Sequence, residues 1–192
     1  MTEIALIERI TRRTTTRAGT ALGIGDDAAL VSLGDPAVAT HDMLVEDVHF
    51  RRGTTSWRDL GAKALAVNLS DIAAMGATPV AALVGLGLPA DVGGDAIAEL
   101  YAGMEEVAGR FGLTVAGGDV TAAPVLLLAV TALGRPLEGV APVRRSGGRP
   151  GDLLCVTGPL GAAGAGLRLL ERPRLLPHLA ARGALVAAHR RP

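Results

Sequence analysis

Helical spacing of apolar residues predicts two long helices in the first two thirds of the chain. Between residues 57 and 75, apolar side chains recur three or four positions apart, which is the period of an α-helix. Ser56 and Asp59 stand at the start of this stretch with the spacing of a capping box, and Gly76 follows its end. The same pattern predicts a second helix over residues 95–111. Shorter helices are predicted at residues 4–10, 162–170 and 175–189.

Apolar runs between the helices predict strands. Residues 80–88 and 125–133 are almost continuously apolar, which is compatible with strands buried on both faces. Because short strands alternate with helices, we expect an α/β or α+β fold. Further extended segments are predicted at 37–42, 43–50, 113–116 and 152–156, with Gly117-Gly118-Asp119 as a loop after the third.

The same pattern predicts two domains, residues 1–150 and residues 151–192. The second begins with the predicted strand 152–156, in which we expect Cys155 to be a buried core residue. One strand and one or two helices cannot bury a full core. We therefore expect the second domain to be the beginning of a larger one whose remainder is missing from this chain.

Composition and charge narrow the class of protein. The chain is 49% hydrophobic and 2% aromatic, so Ala, Val, Leu and Ile must build its core. Its 19 basic and 19 acidic residues cancel, which argues against a nucleic-acid-binding protein. A single cysteine excludes an internal disulfide, and neither a signal peptide nor a membrane-spanning run is present in the sequence. These features predict a soluble cytoplasmic protein with no membrane partner.

Asp71 is the most informative charged residue. The helix predicted at 57–75 is apolar around most of its surface, so we expect it to be buried and Asp71 to point inward from one of its apolar stripes. Burying a carboxylate without a partner costs several kcal/mol. Lys63 or Asn68 could be that partner, and so could a divalent metal ion.

Other aspartates make a metal ion the stronger hypothesis. Asp26 and Asp27 are adjacent after a glycine, Asp42 ends a predicted strand, and Asp119 follows two glycines. Each by itself fits an ordinary turn. Together with Asp71 they predict a magnesium site, because Mg²⁺ prefers a few carboxylates together with phosphate and water oxygens.

Other polar residues leave more than one interpretation open. The glycine-rich turn 158–164 lacks the Gly-Lys-Ser/Thr ending of a P-loop. Arg144 and Arg145 could bind phosphate or be solvated turn residues. His49 could be a substrate contact or a strand residue, and His41 could neighbour the metal or be exposed. Spacing reveals neither a zinc site nor a Ser-His-Asp arrangement.

Five segments together resemble thiamine-monophosphate kinases, of the superfamily that includes aminoimidazole ribonucleotide synthetase and selenophosphate synthetase. The most specific motifs are Asn-Leu-Ser-Asp at 68–71 and Val-His-Phe at 48–50. The resemblance runs from about Ile4 to the end of the chain. The matching segments are 23–29, 40–50, 60–77, 117–121 and 145–152.

The resemblance implies transfer of the γ-phosphate of ATP to thiamine monophosphate, giving thiamine diphosphate. It implies direct, in-line, magnesium-assisted transfer without a catalytic nucleophile. It also implies a first domain with a mixed sheet packed against helices, which pairs as a homodimer. His49 would contact the thiamine phosphate. The implied magnesium ligands are Asp27, Thr40, Asp42, Asp71 and Asp119, and the implied ATP contacts are Gly118, Asp119, Arg145 and Tyr101.

The chain departs from the family pattern in two ways. His41 stands where the family usually has Thr or Ser beside the metal aspartate. The family's second domain carries a further aspartate motif, and the chain stops before it, so we expect weak activity or none. Two alternatives stay open: a related ATP-using synthetase, although no reactive N-terminal Cys favours selenophosphate synthesis, and a non-catalytic nucleotide- or metal-binding scaffold.

Overall fold

The computed structural model describes residues 3–18, 20–22, 30–31, 37–144 and 146–191. The chain divides into two units, Met1–Pro142 and Val143–Pro192. None of the helices in the described residues has the length and apolar character that a membrane span requires.

A four-stranded mixed sheet and two long helices make up most of the first unit. The strand order is β3-β6-β4-β5, with β4 and β5 parallel and the other pairs antiparallel, and β1 and β2 form a separate antiparallel pair. The predicted fold class, α/β or α+β with a mixed sheet packed against helices, is confirmed for this unit as a mixed α+β arrangement. Its elements are α1 Glu3–Thr11, β1 Thr20–Leu22, β2 Leu30–Val31, β3 Val38–Val45, α2 Trp57–Ala74, β4 Ala77–Leu88, α3 Gly94–Phe111, β5 Thr114–Ala122 and β6 Leu127–Pro136.

Local signals place the two long helices where the hydrophobic spacing predicts them. The side chain of Ser56 accepts a hydrogen bond from the Asp59 backbone N–H at 3.1 Å, which caps the start of α2. Gly112 ends α3 in the left-handed conformation that glycine adopts without strain, with φ 72°. Both helix predictions are therefore confirmed to within a residue or two.

Two glycines allow α2 and α3 to pack closely. A Cβ atom at Gly61 would lie 1.8 Å from the backbone oxygen of Leu100, and one at Gly103 would lie 1.9 Å from that of Arg58. Any side chain at either position would force the helices apart. The crossing therefore depends on both glycines.

The sheet buries one face and leaves the other open. Helix α2 packs on β3, β4 and β6, and α3 packs on β5. On this covered face, Leu128, Val130 and Ala132 of β6 are at most 1% exposed. On the opposite face, which we call the open face, Met43 and Leu83 are 44% and 39% exposed. Among the described residues, the open face thus leaves apolar side chains such as Met43 and Leu83 in contact with solvent.

Two strands are longer than the sequence predicts. Strand β3 continues past Asp42, which lies in its middle, and β5 runs through Gly117-Gly118-Asp119 instead of ending before a loop. The predictions of a strand end and a glycine loop are wrong. The reason at β5 is close pairing with β4: a Cβ atom at Gly118 would lie 1.9 Å from the backbone oxygen of Val84. The glycine serves this close approach and not a turn.

The second unit contains a pair of helices, α4 Ala162–Glu171 and α5 Arg182–Arg190. They pack closely, because a Cβ atom at Gly166 would lie 2.0 Å from the backbone oxygen of Leu185. The first helix confirms its prediction.

The second of these helices starts later than the predicted segment 175–189. Leu176 has φ 46°, outside the right-handed helical region. Pro177 follows it, and the residue before a proline is disfavoured in a helix. The chain therefore makes turns until Arg182 begins α5.

The predicted buried strand at 152–156 is wrong. Cys155 is exposed, and its neighbour Leu154 is 99% exposed. A strand is stabilised by hydrogen bonds to a neighbouring strand, and within the described residues no strand pairs with this segment. An apolar composition alone therefore does not show that a segment forms a strand.

Candidate metal and substrate site

Thr40 and Asp71 meet at the covered face of the sheet. The Thr40 hydroxyl, on β3, donates a hydrogen bond to Oδ2 of Asp71, in the last turn of α2, at 2.9 Å. The two residues are 31 positions apart in sequence. This contact is therefore a product of the fold and brings two of the predicted magnesium ligands together.

The prediction that Asp71 is buried is wrong. Its side chain is exposed, because the buried stripe of α2 passes through Leu69 and Ile72 in the last turns and leaves position 71 beside it. The partner is Thr40 and not Asn68, whose side-chain amide donates to the Ala64 carbonyl at 3.1 Å. Because the Asp71 carboxylate is exposed and has no buried ion-pair partner among the described residues, a cation could bind it without first breaking such a pair.

Asp42 lies on the same face of β3 as Thr40, two residues further along. It is half-buried, and its register partner is Val130, a buried residue of the covered face. Thr40, Asp42 and Asp71 therefore supply oxygen atoms at one corner of the covered face. We call these three residues the oxygen corner. Oxygen donors of this kind suit Mg²⁺.

Asp119 lies at the other edge of the sheet. The register runs from Asp42 to Val130, then to Val84, then to Gly118, so Asp42 and Gly118 are three strands apart. At a strand spacing of about 4.8 Å, this separation is roughly 14 Å. Asp119 follows Gly118, so its side chain points to the open face. Within one chain, the fold does not bring Asp119 to the oxygen corner.

Two predicted ligands, Asp27 and Arg145, lie outside the described residues. In the parts of the chain that are described, no three His, Cys, Asp or Glu residues are close enough to hold a metal ion. The oxygen corner has two carboxylates and the hydroxyl of Thr40. The metal set therefore stays a prediction.

Tyr101 and His41 lie in two different environments, the core and the open face of the sheet. Tyr101 is buried in the core on α3, and burial raises the pKa of its hydroxyl. His41 alternates with Thr40 and Asp42, so it faces the open side, where its Nδ1 lies 2.8 Å from Oγ1 of Thr131. The His41 ring thus points away from the oxygen corner.

His49 is exposed on the turn that follows β3. Its Nδ1 accepts a hydrogen bond from the Val45 backbone N–H at 3.1 Å. A nitrogen that accepts a hydrogen bond carries no proton, so the neutral ring carries its proton on Nε2. The neighbouring Phe50 is buried and holds the chain at this point. His49 is therefore prepared to donate a hydrogen bond through Nε2.

Three charged residues near this turn were not singled out from the sequence. Arg52 donates to Glu46 at 2.5 Å and to Asp91 at 2.7 Å. Arg52 and Asp91 are 39 positions apart. No periodicity or motif links these residues, so only the fold could reveal the cluster.

Comparison with known families identifies the first unit. Residues 25–135 match the model of the AIR synthase related protein, N-terminal domain. The chain belongs to the AIR synthase related family. Membership confirms the superfamily that the motifs predict.

Relatives in this family include thiamine-monophosphate kinases. That of Mycobacterium tuberculosis H37Rv is 46% identical over 168 residues, which cover 87% of this chain and 50% of the relative. The crystal structure of the thiamine-monophosphate kinase of Stenotrophomonas maltophilia K279a has a TM-score of 0.84 and 39% identity, covering 100% of this chain and 61% of that one. AaThiL complexed with AMPPCP and TMP has a TM-score of 0.74 and 30% identity, covering 99% of this chain and 59% of that one. The chain spans about half the length of the curated relatives it matches.

Proposed function

We propose that this chain is the ATP- and magnesium-binding part of an enzyme that transfers the γ-phosphate of ATP to thiamine monophosphate. The main support is the 46% identity, over 87% of the chain, to a thiamine-monophosphate kinase. The complex of AaThiL with AMPPCP and TMP gives further support. AMPPCP is an analogue of ATP, and TMP is an abbreviation used for thiamine monophosphate. We propose a cytoplasmic location on the same grounds.

The oxygen corner fits a magnesium ion by the chemistry of its donors. Asp42 and Asp71 offer carboxylates and Thr40 a hydroxyl, and we propose that Asp27 joins them. Bound magnesium would neutralise phosphate charge and align the phosphate groups. Thr40 has a separate role, because its hydrogen bond to Oδ2 orients the Asp71 carboxylate before any ligand arrives.

The other proposed contacts hold substrates in place. His49 donates from Nε2 to a phosphate oxygen of thiamine monophosphate, while its Nδ1 stays on the Val45 N–H. Gly118, Asp119 and Arg145 are the proposed ATP contacts, whereas Tyr101 is only 3% exposed in the core and offers no surface to a ligand. No covalent enzyme intermediate is part of this scheme, since positioning and charge neutralisation are the main requirements of phosphoryl transfer.

We further propose that two copies pair through the open face. Met43 and Leu83 expose apolar surface there, and burial of such surface favours association. Asp42 and Asp119 lie on opposite edge strands, roughly 14 Å apart at ordinary strand spacing. They also point to opposite faces of the sheet, so pairing through the open face would not bring both to one ion, and the proposed pairing rests on the exposed apolar surface alone.

Calorimetry with AMPPCP, with and without magnesium, tests the proposal. We expect wild-type binding to require magnesium and Asp71→Asn to weaken it by at least about tenfold, while Asp95→Asn, which changes an exposed carboxylate on α3, binds as the wild type does. Both variants should melt at the wild-type temperature, because both carboxylates are exposed. Unchanged binding in Asp71→Asn would contradict the metal assignment. Nucleotide binding that thiamine monophosphate does not alter would favour a scaffold over a kinase.

A further inference from the structure

The turn that carries His49 has a tightly specified backbone. The Asp47 N–H donates to the Phe50 carbonyl at 2.8 Å, and the His49 N–H donates to the Val45 carbonyl at 2.9 Å. Asp47 has φ 63°, a left-handed conformation that residues other than glycine adopt infrequently. Such a conformation persists where the surrounding contacts determine it.

Glu46 fastens the start of this turn to the sheet. Its backbone N–H donates to the Leu126 carbonyl at 2.9 Å, and its Oε2 accepts the Leu126 N–H at 3.1 Å. Its Oε1 accepts from Nε of Arg52 at 2.5 Å. Both carboxylate oxygens are thus engaged, and the side chain is only 11% exposed.

Arg52 closes the other end of the turn. Besides Glu46, its guanidinium donates through Nη1 to Oδ2 of Asp91, at 2.7 Å. Asp91 lies in the connection between β4 and α3. The His49 turn is therefore held at both ends, to the start of β6 and to the β4–α3 connection.

Arg58 makes the same kind of double contact away from this turn. It donates to Glu99 at 2.9 Å and to Glu106 at 2.7 Å, joining α2 to α3. An exposed ion pair by itself adds little to stability. The two arginines therefore differ mainly in what they hold: two helices in one case, and the His49 turn in the other.

We propose that Arg52, held by Glu46 and Asp91, is a positioning residue for thiamine monophosphate. It keeps the turn in place so that Nε2 of His49 meets the substrate phosphate without a further ordering step. A contact prepared in advance avoids the entropy cost of ordering a loop on binding. This inference rests on the proposed function, because it assumes that His49 contacts thiamine monophosphate.

The test compares Arg52→Gln with Arg58→Gln. Calorimetry would measure the binding of thiamine monophosphate and, separately, of AMPPCP with magnesium. We expect Arg52→Gln to weaken thiamine monophosphate binding by about tenfold and to leave AMPPCP binding unchanged. Arg58→Gln should alter neither, although both variants lose comparable ion pairs. Arg52→Lys, which keeps the charge but not the fork of donors, should restore part of the loss.

The outcomes separate the inference from the function on which it rests. Arg52→Gln with wild-type affinity for thiamine monophosphate would overturn the inference alone. A wild-type chain that binds AMPPCP with magnesium but not thiamine monophosphate would overturn the proposed substrate, and the inference with it. If Arg52→Gln does not fold, Asp91→Asn removes only the outer contact of Arg52. That variant should show a smaller loss of thiamine monophosphate affinity, and no loss would count against the inference.

Discussion

The two faces of the four-stranded sheet are built from the same strands but differ in what covers them. On the covered face, Val130 and Ala132 are at most 1% exposed beneath the long helices. On the open face, Met43 and Leu83 keep 44% and 39% of their surface exposed. Successive residues of a strand point to opposite faces. A shift of one position therefore separates a core residue from a surface residue.

This difference also divides the candidate ligands. Thr40 and Asp42 belong to the covered face, where Asp71 contacts Thr40, while His41 and Asp119 belong to the open face. The three described carboxylates that sequence reasoning treats as one group, Asp42, Asp71 and Asp119, thus lie in two places.

The largest expected effect is on the covered side, at the crossing of α2 and α3. Gly103→Ala should lower the free energy of unfolding by about 3 kcal/mol, because its Cβ would overlap the Arg58 backbone oxygen. Gly109→Ala on the same helix is the matched control, since its Cβ meets only the end of the Arg17 side chain, at 3.4 Å. Urea unfolding measures both. Equal stabilities would show that the helices can move apart without cost.

The next effect concerns the open face. Leu83→Glu should weaken self-association by about 2 kcal/mol, roughly thirtyfold, because pairing would bury an unpartnered charge. Phe111→Glu is the control, since Phe111 is similarly exposed at 47% but lies at the end of α3. Sedimentation equilibrium gives both association constants. If Leu83→Glu associates as strongly as the wild type, the chain does not pair through this face.

A smaller effect is expected at the His49 turn. His49→Asn retains an acceptor near the position of Nδ1 for the Val45 N–H but loses the Nε2 donor. We expect it to lower thiamine monophosphate affinity by about 1.5 kcal/mol, the contribution of a hydrogen bond to a charged group. His49→Gln, which keeps a donor near Nε2, should lose less. Fluorescence titration can rank the two, and the opposite order would contradict the assigned tautomer.

The smallest effect is a pH dependence of stability. A hydrogen bond from Arg58 lowers the pKa of Glu99 below its ordinary value of 4.5. Because the folded pKa is the lower one, the stabilisation is present above 4.5 and is lost as the pH falls through the folded value. As the pH is lowered from neutral to about 3, the melting temperature should therefore fall less steeply for Arg58→Gln than for the wild type. If the melting temperatures of the two proteins fall in parallel, the Arg58–Glu99 ion pair adds nothing to stability.

Sequence reasoning succeeded where the signal is local. Ser56 caps the start of α2 as predicted, and hydrophobic spacing predicts the lengths of both long helices, because each signal lies within one element. It failed where a residue in a neighbouring strand determines the local structure. Whether Gly118 forms a turn or a strand depends on the approach of Val84 in another strand.

The same limit applies to the candidate site. The aspartate pattern predicts a magnesium site, which stays a prediction, and the fold brings together Thr40 and Asp71, two of the ligands that the family resemblance implies. The exposure of Asp71 depends on which stripe of α2 faces the sheet. That stripe could not be assigned in a helix that is apolar on most sides.

Manganese in place of magnesium tests the central claim most directly, because the paramagnetic ion broadens NMR signals of nearby amides. With AMPPCP and Mn²⁺ added to the chain, we expect broadening centred on Thr40, Asp42 and Asp71. In Asp71→Asn the same signals should stay sharp at equal metal concentration. Broadening that is centred elsewhere, or that is unchanged in this variant, would contradict the claim that the oxygen corner holds the metal and its nucleotide.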